Sequence, residues 1–413
     1  MTRAPGKVKV FPPKIAVAGQ VPKGNIVMAR KPENEKSTES PSPGIPAKSL
    51  AHLKAAREKI DKLDHQIIKS INERAQLAAE IGQIKAAAGE EIFNPAREEE
   101  VLSNVLDVHK KLEGSLGQAT IRAIFRELMS GTRALQKIHK VAFLGPEYSF
   151  SHIAAVERFG TAVEFVPVGS IAAVFESVNR GHSDFGVVPV ENSTDGRVTD
   201  TLDMFLRMSQ MIICAEIRLN VHHNLLARCE PHEIRRVYSK PQALSQCRNW
   251  LAKNAPQAVL KDVSSTAIAA ELAQKEPGAA AVASREAAVY YGLRILFSDI
   301  EDQPDNETRF AVIGNHKCSR TGNDKTSVIF RVPHNPGSLV EALEIFRSAK
   351  VNLTWIESFP ARTAKGDKQE YIFFVDFEGH QEDAKIAKTL KTLESYCKEM
   401  HILGSYPFAR IQA

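Results

Sequence analysis

Lys140-Val-Ala-Phe-Leu-Gly-Pro-Glu147 is where the chain changes character. The apolar run Val141 to Leu144 enters a Gly-Pro turn and then a helical pattern, and the alternation returns at Phe185-Gly-Val-Val, Arg236-Val-Tyr and Ala279-Ala-Ala-Val-Ala. Short apolar strands, each followed by a polar turn and a helix, predict an α/β domain with a largely parallel sheet. On the N-terminal side, Leu53 to Ala88 holds no proline, and Ile60, Leu63, Ile67, Leu77, Ile81 and Ile84 form one apolar stripe on a long helix. Asn94-Pro95 opens a second helix, Gly114 to Gly117 closes it, and a third runs from Gln118 to His139. On the C-terminal side a break at Cys318 to Asp324 precedes the order strand, helix, strand, strand, helix, strand, ending near Tyr406. That order is the split βαβ, ferredoxin-like arrangement of an α+β domain.

A chain of 413 residues, 43% apolar and 25% charged, reads as a soluble protein of two or three domains. It contains no run of eighteen apolar residues, which predicts no membrane span, and its basic, proline-containing N-terminus lacks the apolar segment of a secretory signal. The five cysteines are widely spaced without a C-x-x-C pair, which argues against a zinc ribbon or disulfide framework and predicts a reducing cytoplasm. The net charge of +5 is local: residues 1–49 carry +6, leaving the remainder at −1, so a nucleic-acid partner is not expected. That tail holds eight of the 21 prolines and reads as disordered; Glu33, Glu35 and Glu39 argue against a plastid transit peptide.

The long helix, at about 1.5 Å per residue, extends about 54 Å, more than two shorter helices of one chain can cover. Part of its stripe is therefore expected to pack on another chain. Arg74 lies inside the stripe and requires an anion, either an internal carboxylate (Glu73, Glu80 or a glutamate of the second helix) or an anionic ligand. Lys85, three turns on and about 16 Å away, can converge with it on one small molecule. Arg57, about 25 Å behind Arg74, could reach that molecule only from a partner chain.

Arg57-Glu-Lys-Ile-Asp-Lys-Leu-Asp64, Glu73-Arg74, Ile81-Gly-Gln-Ile-Lys85, Arg97-Glu98 and Ile124-Phe-Arg-Glu-Leu-Met-Ser130 with Gln136 resemble the all-helical chorismate mutases over residues 51–139. The resemblance implies an intertwined dimer in which Arg74 and Arg57 bind the two carboxylates of chorismate. It further implies that Lys85 and Gln136 hydrogen-bond the ether oxygen, that Glu98 accepts from the substrate hydroxyl, and that Arg97 orients its neighbours. Asn94 and Thr132 stand where aspartate and serine are frequent, and retain hydrogen-bonding capacity.

Ser149-Phe-Ser151, Glu191-Asn-Ser-Thr194, Lys240-Pro-Gln242 and Ser264-Ser-Thr266 are polar strand ends entering helices. They are either plain N-caps or parts of an anion-binding crevice beyond the strands. Together with Phe143-Leu-Gly-Pro-Glu147, Val188-Pro-Val-Glu-Asn-Ser193, Lys240-Pro-Gln-Ala-Leu244 and Thr308-Arg309-Phe310, they resemble prephenate dehydratase over residues 140–314. That implies two lobes like a bacterial solute-binding protein, with Thr308 as the candidate proton donor and Arg309 binding a carboxylate. The cleft would be lined by Ser149, Ser151, Glu191, Asn192, Ser193, Gln242, Ser265, Thr266 and Phe310. Tyr148 replaces a common glycine in the first turn, which predicts strained backbone there.

Asn335-Pro-Gly-Ser-Leu-Val340 and Glu357-Ser-Phe-Pro360, with Tyr371 to Gly379, resemble the ACT regulatory domain. The resemblance implies a phenylalanine site on Asn335, Gly337, Ser338, Leu339, Glu357 and Ser358, with Phe359 in place of the usual arginine. The expected organisation is a tail (1–49), a mutase domain (50–139), a dehydratase domain (140–318) and an ACT domain (325–413). The expected function is conversion of chorismate to prephenate and then phenylpyruvate by a homodimer or higher homo-oligomer, without metal or organic cofactor. A dehydratase with a non-catalytic mutase-like domain, and a non-catalytic amino-acid sensor, remain as alternatives.

Overall fold

The computed structural model describes residues 47–89, 91–194, 196–360 and 371–409, so all but the last three residues of the expected tail lie outside the described residues. The chain forms two compact units, residues 1–65 and 66–413. Helix α1 (Ala47–Ala88) supplies the described part of the first unit, where Leu53, Ile60 and Leu63 are exposed. In the second unit α1 exposes Ile67, Leu77, Ile81 and Ile84, the last at 70%. Helix α2 (Pro95–Lys111) begins as its sequence dictates: Pro95 occupies the first turn, and the Asn94 side chain accepts from the Arg97 N–H at 3.1 Å. Helix α3 (Gln118–Ala134) packs beside it. Phe93, just before α2, enters the next core 4.9 Å from Phe159 and 4.8 Å from Phe185, centroid to centroid.

The first α/β lobe runs β1 (Lys140–Leu144), α4 (Phe150–Phe159), β2 (Glu164–Val168), α5 (Ile171–Asn179), β3 (Phe185–Asn192), β4 (Gly196–Arg197), α6 (Thr199–Arg207) and β5 (Ile212–Asn220). The chain then crosses to a second lobe. This comprises β6 (Asn224–Ala227), β7 (Arg236–Ser239), α7 (Pro241–Gln246), α8 (Arg248–Asn254), β8 (Val259–Asp262), α9 (Thr266–Lys275), β9 (Ala279–Ala283), α10 (Arg285–Tyr291) and β10 (Arg294–Phe297). Strand β11 (Glu307–Gly314) returns to the first lobe between β3 and β5. The sheet orders are β2-β1-β3-β11-β5, with β4 on β3, and β10-β6-β9-β7-β8. Among the described residues parallel pairing is confined to β1 with β2 and β3, and β7 with β8 and β9. Strand β11 opposes both its neighbours, and β6 and β10 are also antiparallel, so the sheets are mixed rather than largely parallel. Passage between the lobes is the reason: strands made on crossing enter from the opposite end.

The last segment is β12 (Asp324–Arg331), α11 (Ser338–Ser348), β13 (Leu353–Pro360), β14 (Tyr371–Glu378), α12 (Ala384–Tyr396) and β15 (Glu399–Pro407), in an antiparallel sheet ordered β13-β14-β12-β15. This is the split βαβ order. One face packs Phe330 and Val375 on Phe346 and Leu390 of the helices, and the other lays Phe359, Phe374 and Tyr406 on the first lobe with Met204 and Phe205. Gly404, at φ +144°, allows that approach, since a Cβ there would fall on the Ile213 carbonyl. Among the described residues no helix is long and apolar enough to cross a membrane.

Candidate active sites

A cleft of about 320 Å³ opens between the two α/β lobes. The strand and helix ends bring Ser149, Ser151, Asn192, Gln242, Ser265, Thr266, Thr308 and Phe310 together on its walls. Ser149 and Ser265 also cap α4 and α9, accepting from His152 N–H at 3.4 Å and Ile268 N–H at 3.1 Å, so capping and lining coincide. Thr308 Oγ1 accepts from Asn192 Nδ2 at 2.8 Å, and the same amide donates to Asn306 Oδ1 at 2.9 Å. Asn306 in turn donates to Gln246 Oε1 at 3.0 Å, and His223 Nε2 meets that oxygen at 2.8 Å. The sequence had not singled out Asp200, His223, Lys240 and Gln246 as site residues, yet all four line the cleft. Lys240 lay within a quoted motif, and its position just beyond β7 was the available signal.

Two expected lining residues, Ser193 and Glu191, and the expected carboxylate ligand Arg309 are elsewhere. Ser193 ties two loops, donating to the Asp305 carbonyl at 3.0 Å and accepting from Glu307 N–H at 2.9 Å. Glu191 faces Arg309, 3.9 Å away, rather than the cleft. Arg309 is turned away altogether: it is 5% exposed, pairs with Asp376 at 2.5 Å and lies over the Trp355 ring at 4.4 Å. Strand alternation explains this, because Thr308 and Phe310 point to the cleft and the residue between them must point to the opposite face. Tyr148 does adopt left-handed backbone (φ +63°), held by its N–H donating to His152 Nδ1 at 2.9 Å. Burial keeps that imidazole's pKa down despite Glu147, which preserves it as an acceptor. The Tyr148 ring stacks on Tyr290 of the other lobe at 3.9 Å.

On the mutase side, Arg74 donates to Thr132 Oγ1 at 3.4 Å and makes no ion pair among the described residues. Of the carboxylates that might have neutralised it, Glu73 faces Lys69 at 3.9 Å. Burial and the nearby charge of Arg97 both lower the Arg74 pKa. Gln136 Nε2 donates to the Ala78 carbonyl at 2.8 Å, and Lys85 Nζ to the Glu91 carbonyl at 3.1 Å. Arg97 pairs with Glu100 at 2.7 Å. Arg57 belongs to the first unit and is exposed. Glu98 is not with this group: its carboxylate is bound by Arg133 and lies 3.4 Å from Arg158 of α4. Both guanidiniums stand over Phe93, which anchors the pairing in the seam with the α/β domain.

In the C-terminal segment, Gly337 (φ +87°) starts α11 beside Ser338 and Leu339, and Ser338 N–H donates to the Asn335 carbonyl at 3.2 Å. Glu357 is on the other face of the sheet, like Trp355 and Phe359 two residues either side, and pairs with Arg197 at 2.9 Å. Ser358 is exposed, while Phe359 is 5% exposed. Among the described residues His222, Asp299 and Glu301 place three potential metal ligands within 4.8 Å of one another. His222 Nδ1 and Glu301 already satisfy each other at 2.8 Å, and none of the three lines the cleft.

These features define a two-lobed α/β enzyme with a polar interlobe cleft, joined to a helical region in which Arg74 has no ion pair among the described residues. The prephenate dehydratase family matches residues 141–318, and the type II chorismate mutase family matches residues 56–137. The chain is 43% identical over 365 residues to a bifunctional chorismate mutase/prephenate dehydratase of Aquifex aeolicus, covering 88% of this chain and 100% of that one. It is 42% identical over 364 residues to the corresponding enzyme of Pseudomonas aeruginosa, covering 86% and 98%. A crystal structure of prephenate dehydratase from Arthrobacter aurescens, in complex with L-Phe, is similar at 33% identity with a TM-score of 0.60, over 65% of this chain and 90% of that one. The chain belongs to the bifunctional chorismate mutase/prephenate dehydratase family and is an enzyme carrying both activities.

Proposed function

We propose that the interlobe cleft around Thr308 is the dehydratase site, that Arg74, Thr132 and Gln136 form one side of a mutase site completed by a second chain, and that the C-terminal segment is an ACT domain binding phenylalanine. The carrying observation is the Asn192–Thr308 hydrogen bond. Because Thr308 Oγ1 accepts there, its own hydrogen is directed elsewhere and is available to the leaving hydroxyl of prephenate. As the ring C–CO2 bond breaks, its electron pair makes the ring aromatic and expels the C4 oxygen, which takes the Thr308 hydroxyl proton to leave as water, Thr308 being reprotonated from solvent. Thr308 donates to, and so orients, that oxygen. Lys240 offers a cation to the retained side-chain carboxylate, and the helix starts at Ser149 and Ser265 offer backbone N–H groups.

Chorismate carries two carboxylates, which suits Arg74 and a partner's copy of Arg57. The rearrangement transfers no proton, so Lys85 and Gln136 need only leave their backbone carbonyls for the ether oxygen as it gains charge. Glu98 has no place in this scheme, being engaged by Arg133 and Arg158. The exposed stripe of α1 supports a dimer. Phenylalanine would present its carboxylate to the N–H groups at Gly337 to Leu339 and its ammonium to Asn335, so Glu357 drops out of that site as well.

The test supplies chorismate to the purified enzyme and follows prephenate and phenylpyruvate separately, with and without phenylalanine. Loss of phenylpyruvate alone in Thr308→Ala supports the cleft assignment; turnover within a few-fold of the parent refutes it. Calorimetry without heat at millimolar phenylalanine, on fully active protein, removes the sensor.

A further inference from the structure

We infer that Arg309 is a positioning residue of the dehydratase reaction, and that the C-terminal sheet completes the dehydratase site by holding it through Asp376 and Trp355. The inference rests on the assignment of the Thr308 cleft as that site. Thr308 and Phe310 line the cleft while Arg309, between them, reaches out of the back of the first lobe. What it meets there is built. Asp376 of β14 receives its Nη1 at 2.5 Å, and the Trp355 ring of β13 covers its face at 4.4 Å, so the planar guanidinium is fixed both at its edge and through its plane.

The charges are arranged across the seam. Arg309 on β11 pairs with Asp376 of the C-terminal sheet, and Lys325 of that sheet pairs with Glu216 on β5 at 2.8 Å. The pairing within the lobe, Arg309 to Glu216, is looser at 3.7 Å. Ser327 and Tyr406 close the network, Ser327 donating to Asp376 and meeting the Tyr406 hydroxyl at 2.6 Å. Burial opposes the charge on Arg309, yet Asp376 and Glu216 hold its pKa above the ordinary value, so it stays cationic.

The backbone gives a reason for such a clamp. The ladder between β11 and β3 slips by one residue between Arg309 and Phe310, and Phe310 is paired with Pro189, which has no N–H to donate. On that side the ladder is interrupted just past Arg309, so the Asn192 bond to Thr308 acts without regular pairing beyond it, and the grip on Arg309 supplies the missing restraint on how Thr308 points. The same strand β13 holds two other cleft elements. Glu357 pairs with Arg197 just beyond Asn192, and Phe359 packs with Leu202 and Met204 of α6, the helix that carries Asp200 into the cleft.

The experiment measures kcat and KM for prephenate in Arg309→Lys, Asp376→Asn and the double variant, with mutase activity and melting temperature recorded on the same full-length preparations. Misaimed Thr308 should lower kcat about tenfold or more while KM stays within about twofold and mutase turnover is kept. The double variant should be no worse than the poorer single one, since the two residues act as a unit. A rise in KM confined to Arg309→Lys would make Arg309 a substrate ligand and overturn the inference, as would normal kcat in both single variants. If the charged variants do not fold, Trp355→Leu decides between the same outcomes, and Trp355→Phe should restore most of the rate. Thr308→Ala is assayed alongside. Its survival removes the cleft assignment itself, whereas an inactive Thr308→Ala beside fully active Arg309 and Asp376 variants removes only the clamp.

Discussion

The interlobe cleft proposed for the dehydratase reaction and the helical region proposed for the mutase reaction are built in opposite ways. The cleft is walled by one chain: β1, β3 and β11 are buried strands, and Ser149, Ser151, Ser265 and Thr266 are all less than a tenth exposed. The mutase region shows the reverse, with Leu77, Ile81 and Ile84 at 60%, 55% and 70% exposure beside Arg74, which pairs with no carboxylate among the described residues. An exposed apolar face next to a cation of this kind is what the proposed shared mutase site requires. On that proposal one activity is complete in each chain and the other belongs to an assembly.

The largest effects should separate the two regions. Thr308→Ala should cut prephenate turnover at least about a hundredfold and leave chorismate consumption untouched, because only a hydroxyl is removed and the sites are distinct. Arg74→Ala should give the mirror image, with mutase activity lost and turnover of added prephenate kept. Assays of both substrates on both variants check this, and a joint loss in either would mean the regions are not independent. Next in size, Arg57→Ala mixed with Arg74→Ala should regain part of the mutase activity once subunit exchange is demonstrated, since one composite site then has both arginines. Ile81→Asp should convert the assembly to a smaller species in sedimentation and abolish mutase turnover, while prephenate turnover falls less than about threefold. Unchanged sedimentation would mean the stripe is not an interface.

Legibility in the sequence followed the same divide. The gathering of Thr308, Asn192, Gln242 and Thr266 in one cleft was readable because they lie at strand ends that alternate with helices. Arg309 misled because a strand shows which residues share a face, but not what covers that face. Its partner Asp376 lies 67 residues further along the chain. Glu98 misled for the same reason, since Arg133 and Arg158 arrive from two other helices. Phe359 was more readable than it looked: Trp355, Glu357 and Phe359 alternate on one side of β13, and a buried aromatic at the third position fits a sheet face laid on another domain.

The smallest effect concerns the joint between the two regions. Asp184, before β3, gathers Lys137 Nζ at 2.6 Å and the Lys140 N–H at 2.8 Å, with His139 Nδ1 3.7 Å away, so it fastens the segment leaving α3 to the first lobe. Burial pushes this carboxyl up, but His139, Lys137 and the Lys140 amide together hold it well below the usual carboxylate range. A group with a depressed folded pKa stabilises the fold fully above its unfolded pKa, about 3.9, and loses that contribution as pH falls towards the folded value. Asp184→Asn should therefore lower the melting temperature at pH 7. The partly exposed setting screens the pairing, so a loss on the order of 1 kcal/mol is expected, equivalent to a few degrees. The gap to the parent should stay constant from about pH 7 to 5 and narrow below about pH 4, as the parent's advantage is titrated away. Melting curves across that range decide it. A gap that held its full size down to pH 3 would show that the charge of Asp184 does not fasten the joint, leaving its shape alone to do so.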